Sequence, residues 1–355
     1  MSGHFASIDL GGTNIHGFIA DRTGQIAARG KIPTQSHEGP EGVLERIAEL
    51  VRQMADEVCM APAALGLGMP GLVDMENGLT KFLPNFPGQW PGVPVCKTLE
   101  ARVDCPVYLL NDARCATLGE QIFGHGREVT SMAYFGLGTG VGGGVVLDGH
   151  LRLGPDGAAS EIGHQTLVPD GPLCGCGNHG CLEALVSGPA LTAEGIRLML
   201  SGNAPKLQAL VEGDLTRVSP ATMATAAADG EAAIDGVLQR AAEWLGIAAA
   251  NVVTIFHPEL IVLGGGVSSL GCVDTIGSPP LGTIVVVPPA VSVDPTRQSG
   301  GVDVTGNVTT YCSGDGRAGV CPCGNPGGAG HGCANGATTS GARLSSTGTT
   351  SLATD

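Results

Sequence analysis

Three cysteines lie close together in the stretch CGCGNHGCLE, residues 174–183, and a histidine precedes them at position 164. One nitrogen and three sulfurs, from His164, Cys174, Cys176 and Cys181, suit a tetrahedral zinc ion, and a site whose four ligands all come from protein is structural. Gly175 and Gly177 relieve crowding between ligands. An iron–sulfur cluster and a set of buried thiols remain alternatives. The histidine weighs against the first and the tight spacing against the second, so the sequence predicts structural Zn²⁺.

A second candidate site lies near the N-terminus, in SIDLGGTN (residues 7–14). Gly11 and Gly12 allow backbone N–H groups to approach a phosphate, and Thr13 adds a hydroxyl donor. Asp9, at a strand end, is placed to hold Mg²⁺ directly or through water. An ordinary hairpin with a capping acid explains this loop equally well. Its pattern matches neither the Rossmann fingerprint nor the P-loop.

A third candidate is LLNDA (residues 109–113), a carboxylate beside an amide at the mouth of a buried strand. Asp112 can accept a proton from a hydroxyl group while Asn111 fixes that hydroxyl. Asn and Asp also favour helix starts, and a helix is expected to follow. Both interpretations hold together if Asn111 caps the helix and Asp112 faces a ligand.

Strands and helices must position these residues, and the hydrophobic pattern of the chain predicts elements of both kinds. Two strand–glycine turn–strand units, IDLGGTNIHGFIADRTGQI and FGLGTGVGGGVVLDGHLRL, suggest a duplicated lobe closing on a shared ligand. We expect strands over 4–10, 15–20, 25–32, 64–71, 105–112 and 259–268, and helices over 41–58, 112–123, 188–200 and 230–256. The last helix has a predicted apolar stripe of Ile234, Leu238, Ala241, Leu245, Ala248, Val252 and Ile255.

Length and charge narrow the functional classes. A chain of 355 residues is long enough for two lobes. Its 18 basic against 33 acidic residues, a formal net charge of −15, disfavour nucleic-acid and anionic-membrane partners. The start MSGHFASIDL has no basic, apolar signal pattern, and no run of 18 apolar residues is present. We therefore expect a cytoplasmic protein.

The composition changes after residue 270. Residues 271–355 contain neither Lys nor Glu and are rich in Gly, Ser, Thr and Cys, so we expect a disordered or loosely β-structured tail. A fused gene model or shifted reading frame is an equally good interpretation. GTIVVVPPAVSV (282–293) is apolar enough to add an edge strand, but the tail is otherwise not expected to continue the second lobe.

Six motifs in order, over residues 4–270, resemble the ROK family of sugar kinases and repressors. They are DLGGTN, LPNFPGQW, LLNDA, GLGTGVGGG, EIGH with CGCGNHGCLE, and LIVLGGGVS. The resemblance implies an α/β protein of the two-lobed actin/hexokinase-like (ribonuclease H-like) ATPase fold with a structural zinc loop. It implies lobes at 1–115 and 116–270, followed by the tail at 271–355.

The resemblance also implies roles for residues. Asp112 matches the family's catalytic base, which takes the proton from the sugar hydroxyl that attacks the γ-phosphate of ATP. The sugar-binding positions are matched by Asn85, Asn111, Glu161, His164 and Glu183. The two phosphate turns are matched by Gly11, Gly12, Thr13 and Asn14 and by Gly138, Thr139 and Gly140, and the adenosine turn by Gly264, Gly265 and Gly266. Asn14 stands where many relatives carry Lys, which removes a positive charge near the phosphates and keeps a donor.

The implied activity is ATP- and Mg²⁺-dependent phosphorylation of a hexose at its 6-hydroxyl, with glucose as the first expectation. N-acetylglucosamine, N-acetylmannosamine and fructose are alternative substrates. A sugar-responsive repressor would need a helix-turn-helix ahead of the first glycine loop, which begins by residue 9. A non-catalytic sugar binder remains open because relatives continue past GGGVS with helices that this tail does not match. A homodimer is implied if the second lobe is completed.

Overall fold

The computed structural model describes residues 3–268 and 283–286. They divide into two compact units, which are 3–124 with 151–160, and 125–150 with the rest. The first helix beyond the LLNDA strand, α3, runs Asp112–Ile122, so the expected lobe boundary at 115/116 falls inside a helix. No helix among the described residues is long and apolar enough to cross a membrane.

The first unit is built on a five-stranded sheet in the order β3-β2-β1-β4-β7. The strands are β1 Phe5–Leu10, β2 Asn14–Ala20, β3 Ile26–Pro33, β4 Leu65–Met69 and β7 Val107–Asn111. The first three pair antiparallel as a meander, whereas β4 and β7 run parallel to β1. The carboxyl ends of β1, β4 and β7 therefore meet at one edge, where ligands bind in open sheets of this kind.

Helices and a small hairpin complete the first unit. They are α1 Gly39–Glu57, α2 Val95–Val103 and α3, with β5 Leu72–Asp74 pairing β6 Leu79–Phe82. The stripe on α1 buries Leu50 and Met54 against the sheet. This packing depends on Gly17 and Gly30, because an added Cβ at Gly17 would lie 2.7 Å from Met54 Cε and one at Gly30 2.5 Å from Leu50 Cδ1.

The second unit carries a sheet in the order β10-β9-β8-β11-β12. Its strands are β8 Met132–Leu137, β9 Val141–Leu147, β10 His150–Leu151, β11 Leu260–Gly264 and β12 Thr283–Val286. Strand β8 forms a hairpin with β9 and lies parallel to β11, which is parallel to β12. The edge strand considered for 282–293 is present in part. The expectation that the tail adds nothing else to this lobe falls on residues outside those described.

The described part of the second unit also contains five α-helices, whose buried residues share one hydrophobic core with the sheet. They are α4 Leu182–Val186, α5 Gly188–Leu200, α6 Pro205–Leu210, α7 Pro220–Ala228 and α8 Ala232–Phe256. The stripe predicted for α8 is buried from Ile234 to Val252. Its last member was predicted wrongly, because Ile255 is 70% exposed. The last buried residue of α8 is instead Val253, which directly follows Val252.

Candidate functional site

The loop after β1 is held by a buried threonine. Thr34 Oγ1 donates to Gly11 O at 2.6 Å, and the Thr34 N–H donates to Thr13 O at 2.9 Å. The Gly11 N–H donates to Asn14 O at 3.0 Å, which closes the turn. Asn85 is an exposed residue beside it, since an added Cβ on Gly12 would lie 3.6 Å from Asn85 Cβ. The first glycine loop and one predicted sugar-binding position therefore lie together.

Asp9 is the next-to-last residue of β1, where it pairs with His16 on β2 and with Gly68 on β4. Its side chain is accessible to solvent, yet the protein atoms around it desolvate the carboxylate and raise its pKa. The positive potential of His16 opposes this rise. A divalent cation stabilises the ionised form of a partly desolvated carboxylate, so Asp9 has the chemistry of a Mg²⁺ ligand.

The end of β7 places the amide and the carboxylate of LLNDA in different roles. Asn111 is the N-cap of α3, where its Oδ1 accepts from the Arg114 N–H at 3.2 Å and its Nδ2 donates to Gly71 O at 3.0 Å. Asp112 is the first residue of the helix, half-buried, and its Oδ1 accepts from the Ala113 N–H at 2.7 Å. The amide thus fixes the helix start, and this start positions the carboxylate of Asp112.

One residue of this site escaped the sequence analysis. Cys115 is half-buried one turn after Asp112, and its Sγ would lie 3.4 Å from a Cβ added to Gly68. Burial raises the pKa of the Cys115 thiol to about 12, and the carboxylates of Asp112 and Asp9 add to this rise. The Asp9 carboxylate, near the end of β1, and the Asp112 carboxylate, after the end of β7, therefore both influence this sulfur from either side of β4. The i, i+3 spacing from Asp112 was the signal that places Cys115 on this side of the helix.

Arg114 is a second residue that the sequence analysis missed. Its side chain is 1% exposed, and Nη2 donates to Ala159 O at 2.5 Å. Ala159 belongs to the returning segment 151–160, which leaves the first unit at Ser160 in a left-handed conformation (φ 65°). A buried guanidinium on the helix of Asp112 therefore holds the segment that leads into EIGH.

The second glycine turn joins β8 to β9 in the second unit. The Gly138 N–H donates to Gly140 O at 2.9 Å, with Thr139 between them. The turn after β11 lies against the end of β8, where the Val267 N–H donates to Leu137 O at 3.0 Å. Gly265 requires its glycine there, because φ is 91° and an added Cβ would overlap Leu137 O. Gly264 and Gly266 flank it.

The predicted metal ligands converge. One ligand atom each from His164, Cys174, Cys176 and Cys181 lies within 4.8 Å of the others. Cys174 Sγ is 3.6 Å from His164 Nδ1, and Cys176 Sγ is 3.7 Å from Cys181 Sγ. Tetrahedral zinc with Zn–S and Zn–N bonds of about 2.3 and 2.05 Å requires edges of roughly 3.6–3.8 Å. The donor set and its spacing therefore fit zinc.

The three thiols of the cluster differ in how readily they lose a proton in the absence of a cation. Burial raises the pKa of the Cys174 and Cys181 thiols, whereas a hydrogen bond from the Asn178 backbone lowers the pKa of Cys176. A bound dication overrides such burial effects and deprotonates its thiol ligands. Glu183 lies two residues after Cys181, with Oε1 3.5 Å from Cys174 Sγ. Glu161 starts the short turn that carries His164, whose N–H donates to Glu161 O at 3.0 Å.

The predicted site residues thus form two groups, one in each unit. The first unit holds Asp9, Gly11, Gly12, Thr13, Asn14, Asn85, Asn111 and Asp112. The second holds Gly138, Thr139, Gly140, Glu161, His164, Cys174, Cys176, Cys181, Glu183, Gly264, Gly265 and Gly266.

Comparisons with known proteins all point to the same family, which contains both kinases and repressors. The model of the ROK family matches residues 5–278. A glucokinase of Thermotoga maritima is 38% identical over 267 residues, which cover 74% of this chain and 82% of that protein. An N-acetylmannosamine kinase of Escherichia coli is 32% identical over 261 residues, with the same two shares. The crystal structure of a ROK family glucokinase from Streptomyces griseus with glucose and AMPPNP superposes with a TM-score of 0.69 at 31% identity, covering 80% of this chain and 94% of that one.

Proposed function

Because the chain belongs to the ROK family, with its actin/hexokinase-like α/β fold, we propose that it is an ATP-dependent sugar kinase that phosphorylates glucose at the 6-hydroxyl. The sugar oxygen attacks the γ-phosphorus of ATP, the bond to the bridging oxygen breaks, and ADP leaves. Such a transfer needs positioning, charge neutralisation and one base, with little covalent work by the protein.

One observation carries the proposal, and it is the placement of two carboxylates around Cys115. Asp112 stands at the carboxyl end of β7 and Asp9 near that of β1. Gly68 on β4 pairs with Asp9. A Cβ added to Gly68 would lie 3.6 Å from Asp112 Cα and 3.4 Å from Cys115 Sγ. In the proposed mechanism Asp112 takes the proton of the attacking hydroxyl, and Asp9 would hold Mg²⁺, which would neutralise phosphate charge. The anchored loop Gly11–Asn14 supplies backbone N–H groups for the phosphates.

The remaining positions bind the substrates in this proposal. Sugar hydroxyls are bound by Asn85, Asn111, Glu161, His164 and Glu183, by the family resemblance. Gly138–Gly140 form the second phosphate turn, and Gly264–Gly266 receive the adenosine. Polar side chains suit a sugar, because a site built to hydrogen-bond a hydroxyl rejects analogues that lack it.

A structural zinc ion completes the proposal. His164, Cys174, Cys176 and Cys181 would hold it, and it would supply rigidity to the loop that bears Glu161 and Glu183. Because all four ligands come from the protein, the ion would have no free coordination position for a substrate. His164 belongs to both the metal cluster and the proposed sugar contacts.

A second candidate substrate is N-acetylmannosamine. It is favoured by the 32% identity to the Escherichia coli kinase, which extends over nearly the same length as the glucokinase match. The chemistry is unchanged, and only the part of the pocket that meets the 2-substituent differs.

The test is an assay of sugar-dependent ADP release with glucose, mannose, fructose, N-acetylglucosamine and N-acetylmannosamine, with and without Mg²⁺. We expect glucose to give the highest kcat/KM and turnover to require Mg²⁺. A tenfold or greater preference for an N-acylhexosamine moves the protein to the second candidate. No turnover with any sugar, in protein that is folded, overturns the kinase proposal.

A further inference from the structure

A short helix connects the metal cluster directly to the second glycine turn. Helix α4, Leu182–Val186, starts immediately after Cys181, which is its buried N-cap residue. The position of this metal ligand therefore fixes the start of the helix without an intervening linker. A change in the backbone conformation of Cys181 would therefore move the first residue of α4 directly, because one peptide bond joins them.

The first turn of α4 holds one end of the glycine turn. Glu183 Oε2 accepts from the Val141 N–H at 2.9 Å, and Val141 directly follows Gly140. The approach is close, because an added Cβ on Gly140 would lie 2.5 Å from that same oxygen. The other carboxylate oxygen lies 3.5 Å from Cys174 Sγ. The Glu183 carboxylate thus lies between the metal cluster and the turn.

The residues after α4 hold the other end of the turn. The Gly188 N–H donates to Gly138 O at 2.8 Å, and a Cβ on Gly188 would lie 3.2 Å from that oxygen. The preceding residue, Ser187, is buried and donates its N–H to Glu183 O at 3.1 Å. The segment from Glu183 to Gly188 therefore contacts the turn at both of its ends, through Val141 and Gly138.

We propose that Glu183 is a positioning residue, which together with Gly188 makes the order of the Gly138–Gly140 turn depend on the metal cluster. This link follows from the contacts alone. Its effect on nucleotide affinity rests on the proposed function, in which the turn takes the phosphates of ATP. The consequence is that loss of the metal weakens nucleotide binding in the absence of sugar, beyond any effect on sugar contacts.

Hydrogen exchange at the Val141 amide tests the link without reference to activity. We expect exchange of this amide to rise about tenfold or more in Glu183→Ala, because a hydrogen bond to a charged group is lost. Glu183→Gln keeps an oxygen acceptor and should restore most of the protection. Removal of zinc with a chelator should raise exchange over residues 138–141 in the unaltered chain. The zinc content of both variants is measured in parallel, so that metal loss is not mistaken for loss of the contact.

A matched pair of glycine variants tests the link from the side of the turn. Gly140→Ala places a methyl group against Glu183 Oε2 and should increase the exchange of Val141. Gly236→Ala on α8 is the control, because its added Cβ meets nothing closer than Arg240 Nη1 at 3.9 Å. AMPPNP binding without sugar is measured on the same proteins, and we expect about tenfold weaker affinity in Glu183→Ala and after chelation.

The outcomes separate the two proposals. Unchanged Val141 exchange in Glu183→Ala and after chelation overturns the link, even if sugar binding weakens. If Val141 exchange increases in Glu183→Ala but the unaltered protein binds no AMPPNP, the link is supported and the proposed function is overturned. Increased exchange with unchanged AMPPNP affinity supports the link but excludes the turn as a nucleotide contact.

Discussion

Cys176 Sγ and Cys181 Sγ lie 3.7 Å apart, a distance that matches two ligands of one tetrahedral ion and not two atoms of a bond. A disulfide brings its sulfurs to about 2.05 Å. All seven cysteines in the described residues are free thiols. The spacing of the pair is therefore compatible with two zinc ligands, and His164 and Cys174 would supply the remaining donors.

The first prediction concerns this metal. Purified protein should carry about one zinc per chain, and Cys176→Ser should lose it, because oxygen replaces a thiolate ligand. The KM for sugar should rise by about 10–100-fold as the loop loses order. Cys59→Ser is the control, since Cys59 is an exposed thiol outside the cluster. Active protein without zinc, or with iron and a visible colour, contradicts the assignment.

The second prediction concerns the base. Asp112→Asn should lower sugar-dependent ATP turnover by at least about 10²–10⁴-fold, because an amide cannot accept the hydroxyl proton. The fold should persist, since the amide oxygen can still accept from the Ala113 N–H. Thermal unfolding and sugar binding measure this. Asp104→Asn, at an exposed left-handed position that Asn tolerates, is the control. Near-normal turnover in Asp112→Asn leaves Asp112 with a structural role only.

The third prediction concerns the pKa of Asp9, which desolvation raises in the folded chain. The folded state then binds the proton more tightly than the unfolded state, so ionisation of Asp9 costs stability as pH rises through the folded pKa. Asp9→Asn removes this cost. Without Mg²⁺ and nucleotide, the variant should gain melting temperature at about pH 7.5 and gain little at about pH 3, below the ordinary Asp pKa of 3.8, where the carboxyl is largely protonated in both states.

The same Asp9→Asn variant should lose Mg²⁺-dependent turnover by about 10²-fold, the loss typical when one electrostatic partner of a transition state is removed. Stability and activity therefore move in opposite directions. A lower melting temperature at neutral pH would show that Asp9 stabilises the fold. Unchanged turnover and Mg²⁺ dependence would place the metal elsewhere.

The fourth prediction concerns Arg114. Arg114→Met keeps much of the volume but leaves the Ala159 carbonyl without this donor, so the free energy of unfolding should fall by about 2 kcal/mol. Arg197→Met is the control, because its ion pair with Glu194 is exposed to solvent and exposed pairs add little to stability. Urea unfolding compares the two. Equal effects would mean that the buried contact adds nothing beyond a surface pair.

The long, regular elements could be predicted from the sequence because their hydrophobic patterns are complete. The alternation in β1 and the stripe of α1 match the structure closely. Helices α2, α4, α6 and α7 were missed because they are short. In addition, α7 (PATMATAAA) has Met223 as its one large apolar residue. Ile255 was assigned to the core because the stripe was continued to the helix end, where the packed surface had already turned to Val253.

The candidate site was predictable as far as local sequence determines it. The four predicted metal ligands lie within 18 residues of one another in the chain, and His164, Cys174, Cys176 and Cys181 converge as expected. Contacts between distant segments left no local signal. Glu183 reaches Val141 across 42 positions, and Arg114 reaches Ala159 across 45. Such contacts depend on how the sheet and helices pack, which periodicity alone does not specify.

The separation of Arg114 from Ala159 has a consequence during synthesis of the chain. At about 5–20 residues per second, the ribosome delivers Ala159 about 2–9 s after Arg114. In that interval it also makes residues 125–150, which belong to the second unit. The first unit cannot close around its buried arginine until the β8–β9 hairpin of the second has emerged. The two units are therefore completed in an interleaved order, and a nascent chain that stalls before residue 159 holds an arginine without its Ala159 acceptor.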